Sequence, residues 1–377
     1  MTPSPAEPPR IAFLVESLGR SGGMAVIREY ARSLDATLVV CGARPGALPS
    51  TDSGVPVRTL ADIGDVDVAI ATWWTTAEAL FEVSARRRVV FLQNLEYRFY
   101  SDREPEQLGA FGVLDLPVDY IVIASHMRDL LARLRPDARV RLVPNGIDKA
   151  VFAPAAAPSS GPLRVLVEGQ PTLWFKGVRE SVAAVRRMRE PATVTVAVHD
   201  VSEAGELGAD RVVGGLGPAE MAALYAEHDV LLKLPRFEGL GLPPLEAFHV
   251  GVPCVATPFT GSEDYVEHGV NALVVGFDDE PGTATALDAL ARDAALLERL
   301  RAGALATAAQ WPSREHASTT FADALRTFVA EPPPAPDAAL RRMAQSRRLG
   351  IELTRIRAAP PAAPRGGVRR LLRRVRP

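Results

Sequence analysis

Short apolar runs alternate with longer amphipathic stretches along most of the chain. The runs are nearly continuous in Val, Ile, Leu and Ala, without alternation of buried and exposed positions, which is typical of parallel strands covered on both faces. In the first part of the chain these runs are 11–15, 37–40, 66–71, 89–92, 120–123 and 140–143. Stretches between them, such as 24–34 and 127–134, have the period of helices and predict a βαβ series.

A second series follows a segment of Ala, Pro, Ser and Gly at 152–162, which is typical of a linker. Its apolar runs are 163–167, 194–198, 230–234, 254–256 and 273–275. Two consecutive βαβ series predict an α/β protein with two doubly wound parallel-sheet domains. Ligands of such sheets bind beyond the carboxyl ends of the strands, so we expect the site in the cleft between the domains.

Charge is divided unevenly between the body of the chain and its end. The whole chain of 377 residues has a net charge of −2, but residues 340–377 contain twelve Arg and a single acid, Glu352, which leaves −13 for the rest. An acidic body gives no indication of a nucleic-acid groove. The basic segment 358–377 predicts contact with an anionic membrane surface, with a solvated, disordered tail as the alternative.

Cysteine and histidine usage excludes further classes of protein. Cys41 and Cys254 are far apart, so neither a disulfide framework nor a cysteine-rich zinc module is expected. The six His residues are scattered, and we predict no metal site and no cofactor. The chain shows neither a signal-peptide core nor an apolar run of membrane-spanning length, so we expect a cytoplasmic protein, peripheral at the inner membrane face if its tail binds lipid.

The segment 235–254 carries the most informative chemistry. A glycine-bearing loop follows the apolar run 230–234 and precedes Pro243, a residue that favours the first turn of a helix. A strand, a glycine loop and a helix start together make an anion site. The carboxylates of Glu238 and Glu246 bracket this loop and suit a ribose diol or a sugar. Alternatively, Glu238 is a solvated loop charge and Glu246 a favourable first-turn acid.

The order and spacing of these residues resemble a known family. The run EGLGLPPLEAFHVGVPCVAT, with seven residues between Glu238 and Glu246, is similar to the donor-site signature of the family 4 glycosyltransferases. Segments 260–274 and 143–154, and the Gly22–Gly23 pair, are also similar to that family. The resemblance covers roughly residues 11 to 330.

The resemblance implies the GT-B fold, in which two Rossmann-like domains face each other across a cleft. It suggests an acceptor domain at 1–160, a nucleotide-sugar domain at 161–312, a helix at 313–335 that crosses back to the first domain, and a basic helix and tail at 336–377.

The family's pattern also assigns roles to individual residues. Glu246 would bind the nucleotide ribose and Glu238 would lie near the donor sugar. Backbone groups of Gly239, Leu240, Gly241 and Leu242 would hold sugar hydroxyls or phosphate. Lys176, which precedes Gly177, would contact the donor diphosphate; an exposed loop lysine is the alternative.

The Gly22–Gly23 pair and the residue at position 170 each allow two interpretations. Gly22 and Gly23 lie between a predicted strand and helix, where we expect them to approach the donor phosphates or the acceptor, or to form an ordinary tight turn. The family usually has an Arg where this chain has Gln170, so another basic residue such as Arg179 would supply the second charge, or the leaving group is stabilised differently.

The segment 91–100 departs from the family in another way. Many members place a His there, whereas this chain has Gln93 and Asn94, followed by Glu96. We expect these three residues on the acceptor side of the cleft. Their pattern is similar to a branch of polysaccharide rhamnosyltransferases, which suggests dTDP-rhamnose as donor, although the aromatic residues of this segment also suit core packing.

The resemblance therefore implies a retaining, metal-independent glycosyltransferase. It would move a hexosyl group from a nucleotide diphosphate sugar to a glycan, a lipid-linked or a small-molecule acceptor, and the leaving phosphate would take the acceptor proton. The alternative is a catalytically silent GT-B subunit of a polysaccharide-assembly complex, to which the Gln170 and Gln93–Asn94 departures give weight.

Overall fold

The computed structural model describes residues 9–332, except for 20, 45–47, 102–103 and 157–160. The predicted basic helix and tail at 336–377, with the membrane segment 358–377, lie outside the described residues. None of the helices in the described ranges combines the length and the apolar character that crossing a bilayer requires.

The first sheet is built from eight strands of the described chain, in the order β3-β4-β2-β1-β5-β6-β7-β8. Its strands are β1 Ile11–Val15, β2 Thr37–Val40, β3 Thr51–Asp52, β4 Val55–Thr59, β5 Val66–Ala71, β6 Ala85–Leu92, β7 Asp119–Val122 and β8 Val140–Leu142. Every pairing is parallel except that of β3 with β4 at the edge. The inner strands β1, β5 and β6 are almost wholly buried, as their continuous apolar character predicts.

The second sheet has six parallel strands among the described residues, in the order β11-β10-β9-β12-β13-β14. Its strands are β9 Leu163–Glu168, β10 Ala192–Val198, β11 Arg211–Gly214, β12 Val230–Lys233, β13 Cys254–Ala256 and β14 Ala272–Val274. Together the two sheets confirm the predicted α/β class with two doubly wound parallel sheets. The limits proposed for the domains stay predictions.

Helices follow most strands and pack against the sheets. They are α1 Gly22–Ser33, α2 Thr76–Ala79, α3 Pro105–Phe111, α4 Ser125–Leu134, α5 Val178–Arg186, α6 Pro218–Ala226, α7 Leu242–Val250, α8 Glu280–Arg292, α9 Ala294–Gln310 and α10 Arg314–Ala330. Ser21 caps α1 by accepting from Met24 N, so this helix begins at Gly22, two residues before the predicted start of 24. Gly251 ends α7 in the left-handed conformation.

The strand order of the second sheet reverses between β9 and β12. From β9 the chain first builds β10 and β11 on one side, then crosses to β12, β13 and β14 on the other. Open α/β sheets bind their ligands beyond the carboxyl ends of the strands at such a switch point. Glu168 ends β9 and Lys233 ends β12, so both residues lie at this position.

The chain crosses between the sheets twice. After α9 it returns to the first sheet, where α10 contacts α1, β5, β6 and β7. Phe321 of α10 stacks on Tyr30 with a centroid distance of 4.3 Å and meets Phe91 edge-on at 5.2 Å. Beside the first crossing, a backbone bridge joins Ile147 to Ser313. The two crossings therefore run side by side and are hydrogen-bonded to each other.

Candidate active site

The loop between β12 and α7 is fixed by contacts to its carbonyl groups. Tyr265 Oη donates to the carbonyls of Leu240, at 3.1 Å, and Gly241, at 2.6 Å. Thr260 Oγ1 donates to the carbonyl of Glu238 at 2.9 Å. These bonds orient the peptide planes of the loop directly before the helix N-terminus, where convergent N–H groups and the helix dipole favour an anion.

Lys176 and Glu238, which lie far apart in sequence, form an ion pair. Lys176 Nζ lies 2.8 Å from Glu238 Oε1 and 2.9 Å from Oε2. Lys176 reaches this position because Gly177 adopts φ +65°, which starts α5 at once, and because Gly177 lies so close to the Leu234 carbonyl that a Cβ would overlap it. The two residues predicted to serve the donor therefore lie together.

A second lysine joins this pair. Lys233 Nζ lies 2.5 Å from Glu168 Oε2 and 3.4 Å from Glu238 Oε1. We call Lys176, Lys233, Glu168 and Glu238 the lysine–glutamate cluster. Burial alone would raise the pKa of Glu238, but Lys176 and Lys233 lower it and the net shift is downward. Glu238 is therefore ionised at neutral pH.

Glu246, in α7, has a different environment. Its Oε2 accepts a hydrogen bond from Tyr225 Oη of α6 at 3.1 Å. Burial raises its pKa to about 7, with the Tyr225 bond lowering it and the Glu168 charge raising it. A carboxylate that titrates near neutrality and already accepts one hydroxyl group suits the recognition of a diol.

The N-terminal sheet meets the glycine loop at the carboxyl end of β6. Gly239 lies against Gln93 and Asn94: a Cβ at position 239 would overlap the Gln93 carbonyl oxygen and lie 2.9 Å from Asn94 Oδ1. On the opposite side of Gln93, a Cβ at Gly23 would lie 3.5 Å from its side-chain amide. The structure thus brings Gly23, Gln93, Asn94 and Gly239 together, whereas a Cβ at Gly22 would meet nothing within 4 Å.

Glu96 is close in sequence but faces elsewhere. It is buried, and its Oε2 accepts from Trp74 N at 2.6 Å within the N-terminal domain. Its pKa is well above the usual range because burial outweighs the Trp74 hydrogen bond, and nearby Glu16 raises it further. Its predicted position on the acceptor side stays a prediction, while its contacts place it behind Gln93 rather than against the glycine loop.

Aromatic and polar contacts close the rest of the boundary between the domains. Phe99 lies 5.2 Å from Phe175 and 5.7 Å from Phe237, measured between ring centroids. Arg98 stacks over Phe237 at 4.6 Å and donates to Thr260 Oγ1. These side chains hold the loops of both sheets in one arrangement around the lysine–glutamate cluster.

Residues 164–293 match the family described as Glycosyl transferases group 1; this range contains most of β9, the strands β10 to β14 and the helices α5 to α8. The chain is similar to glycogen synthase of Mycobacterium tuberculosis H37Rv, with 30% identity over 43% of this chain and 42% of that protein. It is also similar to the D-inositol 3-phosphate glycosyltransferase of Thermobispora bispora, with 26% identity over 71% and 72% of the two chains. The C-terminal part of the chain therefore resembles the glycosyltransferases of this family.

Solved structures extend the similarity to the fold of both domains. Sucrose-phosphate synthase from Thermosynechococcus elongatus superposes with a TM-score of 0.74 at 16% identity, over 85% of this chain and 99% of that one. Anabaena HepE, solved with UDP-glucose, superposes with a TM-score of 0.69 at 17% identity, over 85% and 100%. The fold of this chain is GT-B. This chain spans less than half of the length of the first curated relatives that it matches.

Within this fold, sequence patterns missed three of the residues that surround the site. Lys233 and Glu168 were missed because each ends an apolar strand, and Tyr225 was missed because it occupies an apolar position of α6. A signal was present in Lys233, because a lysine that ends a buried parallel strand needs a charged partner.

Arg179 does not join the lysine–glutamate cluster, because its guanidinium donates to the Glu206 carbonyl. Across the described part of the chain, no three His, Cys, Asp or Glu side chains form a group that could hold a metal ion.

Proposed function

We propose that this chain is a retaining, metal-independent glycosyltransferase that moves a hexosyl group from a nucleotide diphosphate sugar to a glycan or lipid-linked acceptor. The observation that supports the proposal is the ion pair of Lys176 with Glu238 beside the glycine loop, where Gly239 packs against Gln93 of the N-terminal domain. Glu246, bonded to Tyr225, lies in the helix that follows the same loop. A diphosphate, a sugar and a ribose are the three parts of one donor molecule, and Lys176, Glu238 and Glu246 offer one suitable group to each.

The chemistry follows from these positions. Lys176 and the helix N-terminus stabilise the diphosphate as the bond from C1 of the sugar to the phosphate oxygen breaks and its electron pair moves to that oxygen. The acceptor hydroxyl attacks C1 on the same face, and its proton passes to the leaving phosphate. Glu238 accepts hydrogen bonds from the sugar hydroxyls and Glu246 accepts them from the ribose. Retention of configuration is the expected outcome.

For the donor, we propose a dTDP-linked rhamnose. The support is the position of Gln93 and Asn94, whose pattern suggests the rhamnosyl branch and whose groups lie against Gly239. An amide side chain at this point can form hydrogen bonds to the sugar and stays neutral at all pH values, whereas the imidazole of a His would titrate. The Anabaena HepE structure was solved with UDP-glucose, so UDP-linked hexoses are the first competing donors to compare.

The experiment is a thermal-shift panel of UDP-, GDP-, ADP- and dTDP-sugars, followed by transfer assays with the stabilising donor. A donor present at 100 times its Kd stabilises the folded state by about 2.7 kcal/mol. Glu246→Gln should remove most of that shift, whereas Glu227→Gln, a matched change at an exposed glutamate paired with Arg211, should leave it intact. Stabilisation by no donor would refute the proposal. Saturable binding without transfer to any acceptor would favour the silent subunit.

A further inference from the structure

Lys233 is a charged residue in a position that otherwise holds apolar ones. It ends the strand VLLK of β12, and its side chain is 0% exposed. Its Nζ donates to both the carboxylate of Glu168, at 2.5 Å, and the carbonyl of the same residue, at 3.1 Å. A buried ammonium is costly unless it is paired and hydrogen-bonded, so three oxygens around one lysine mark a built position.

Glu238 is shared between two lysines that differ in access. Lys176 Nζ contacts both of its oxygens and the lysine side chain is 21% exposed, whereas Lys233 contacts Oε1 from the buried side. An incoming diphosphate can reach Lys176 but not Lys233. When it does, it competes with Glu238 for the same ammonium group.

We propose that Lys233 is a positioning residue that holds Glu238 in place while the donor diphosphate draws Lys176 away from it. The proposal rests on the proposed function, because it assigns Lys176 to the diphosphate. With Lys233 in place, Glu238 remains compensated after the exchange, and its carboxylate stays free for the sugar hydroxyls. Without Lys233, the diphosphate would have to separate Glu238 from its last cation in a buried position.

Glu168 is the anchor of this arrangement. Its carboxylate and its carbonyl bind the same ammonium, so Lys233 cannot follow Lys176 toward solvent. Glu168 and Lys233 end neighbouring strands, and the pairing of Val167 with Leu232 fixes the distance between them. The exchange therefore moves one lysine and leaves the other fixed by the sheet.

The variants that test Lys233 must separate positioning from stability. Lys233→Met removes the cation but leaves Glu168 unpaired, and this variant can fail to fold. The double variant Glu168→Gln/Lys233→Met removes both buried charges and leaves Glu238 with Lys176. Arg164→Met is the matched control, because the Arg164–Asp229 pair lies at the opposite end of β9, with Arg164 Nε 2.9 Å from Asp229 Oδ2.

Trace amine acylation with mass spectrometry gives a readout that needs no turnover, because the chain has only three lysines, at 149, 176 and 233. Inorganic pyrophosphate is the probe and Lys149 the internal reference. We expect pyrophosphate to protect Lys176 in the wild type and in Arg164→Met. In the double variant, half-protection should require about tenfold more pyrophosphate, the size of one charge-assisted hydrogen bond.

Steady-state kinetics complete the test. With the donor found in the thermal-shift panel, the KM of the double variant should rise about tenfold and kcat should fall, since Glu238 is no longer held for the sugar. Equal protection of Lys176 in both proteins, an unchanged donor KM, or no protection in the wild type would overturn the role of Lys233. Shifted protection without any turnover would retain that role and refute the proposed transferase activity.

Discussion

Glu238 and Glu96 are both buried glutamates beside the cleft, one in each domain, and their pKa values move in opposite directions. Burial raises the pKa in both cases, but two lysines reverse the shift at Glu238, whereas Glu96 has the Trp74 N–H and a second carboxylate, Glu16, nearby. The C-terminal side of the cleft therefore presents an ionised carboxylate with its lysines, whereas the N-terminal side presents the amides of Gln93 and Asn94, with Glu96 buried away from the glycine loop. Fixed charge suits a diphosphate, and neutral groups suit an uncharged acceptor hydroxyl.

The largest effect should come from removing Lys176, the more accessible of the two lysines beside Glu238. Lys176→Met deletes one charge-assisted hydrogen bond to the diphosphate, worth about 1.5–3 kcal/mol, and should raise the donor Kd roughly 10- to 100-fold. Titration calorimetry measures this directly. Lys149→Met is the control, since that ammonium donates to the carbonyls of Ala308 and Ala309 away from the cleft. Equal losses in both variants would contradict the assignment of Lys176.

A smaller effect is expected where the two sides meet. Gly239→Ala places a methyl group against the Gln93 carbonyl and should force the glycine loop away from the N-terminal domain. Such overpacking costs about 1–3 kcal/mol, and we expect turnover to fall roughly tenfold or more. Gly161→Ala, where a Cβ meets nothing within 4 Å, is the matched control. A fully active Gly239→Ala would show that the contact is dispensable.

The pH dependence of donor binding sharpens the comparison within the charged side. Because Glu246 has a pKa of about 7, donor affinity should rise between pH 6 and pH 8 as the carboxylate forms. Its folded pKa lies above its unfolded value, so its contribution to stability is greatest below the unfolded pKa and is lost as the pH rises toward 7. Glu246→Gln should show neither trend in calorimetry or in denaturant titrations. A trend that persists in this variant belongs to another group.

The smallest effect should come from the neutral side. A protonated Glu96 resembles a glutamine, so Glu96→Gln should change stability at pH 7 by less than about 1 kcal/mol. At pH values above the usual pKa of a glutamate, the wild type should lose stability as the pH rises, because Glu96 ionises in the unfolded state more readily than in the folded state. The stability of Glu96→Gln should not show this loss. Chemical denaturation across pH 5 to 9 would measure this difference. Parallel pH profiles would mean that Glu96 is already ionised in the folded protein.

The central strands could be predicted from apolar runs because buried parallel strands need little else. β1, β2, β5 and β13 match their predicted bounds, and the other predicted strands differ by one or two residues at an end, except β6, which begins four residues earlier than predicted. Three strands escaped prediction: β3 and β11 lie at sheet edges, and β4 lies next to an edge, where Pro56 and Arg58 interrupt its apolar character. Strands at or near an edge are partly exposed and therefore lack the continuous apolar run that identifies inner strands.

For the site, the predictable part was the local one. A glycine loop, a helix start and the two glutamates around them stand within one stretch of sequence, and the structure confirms the strand–loop–helix arrangement. The roles of those residues stay predictions. The contribution of Lys233 and Glu168 depends on two strands 65 residues apart becoming neighbours at a switch point, which no local pattern contains. Which charged residues pair across strands depends on the strand order, so this pairing could be identified only from the structure.

The return of α10 to the first sheet has a consequence for dividing this protein. A fragment that stops at residue 312 would keep every strand of both sheets and yet strip the cover from Tyr30 and Phe91, which Phe321 supplies. Losing a buried phenylalanine from a core costs about 3–5 kcal/mol, comparable to the whole stability of a small domain. The N-terminal half is therefore not a contiguous folding unit: its last helix comes from the far end of the chain, and a separately expressed N-terminal half would need that helix attached to it.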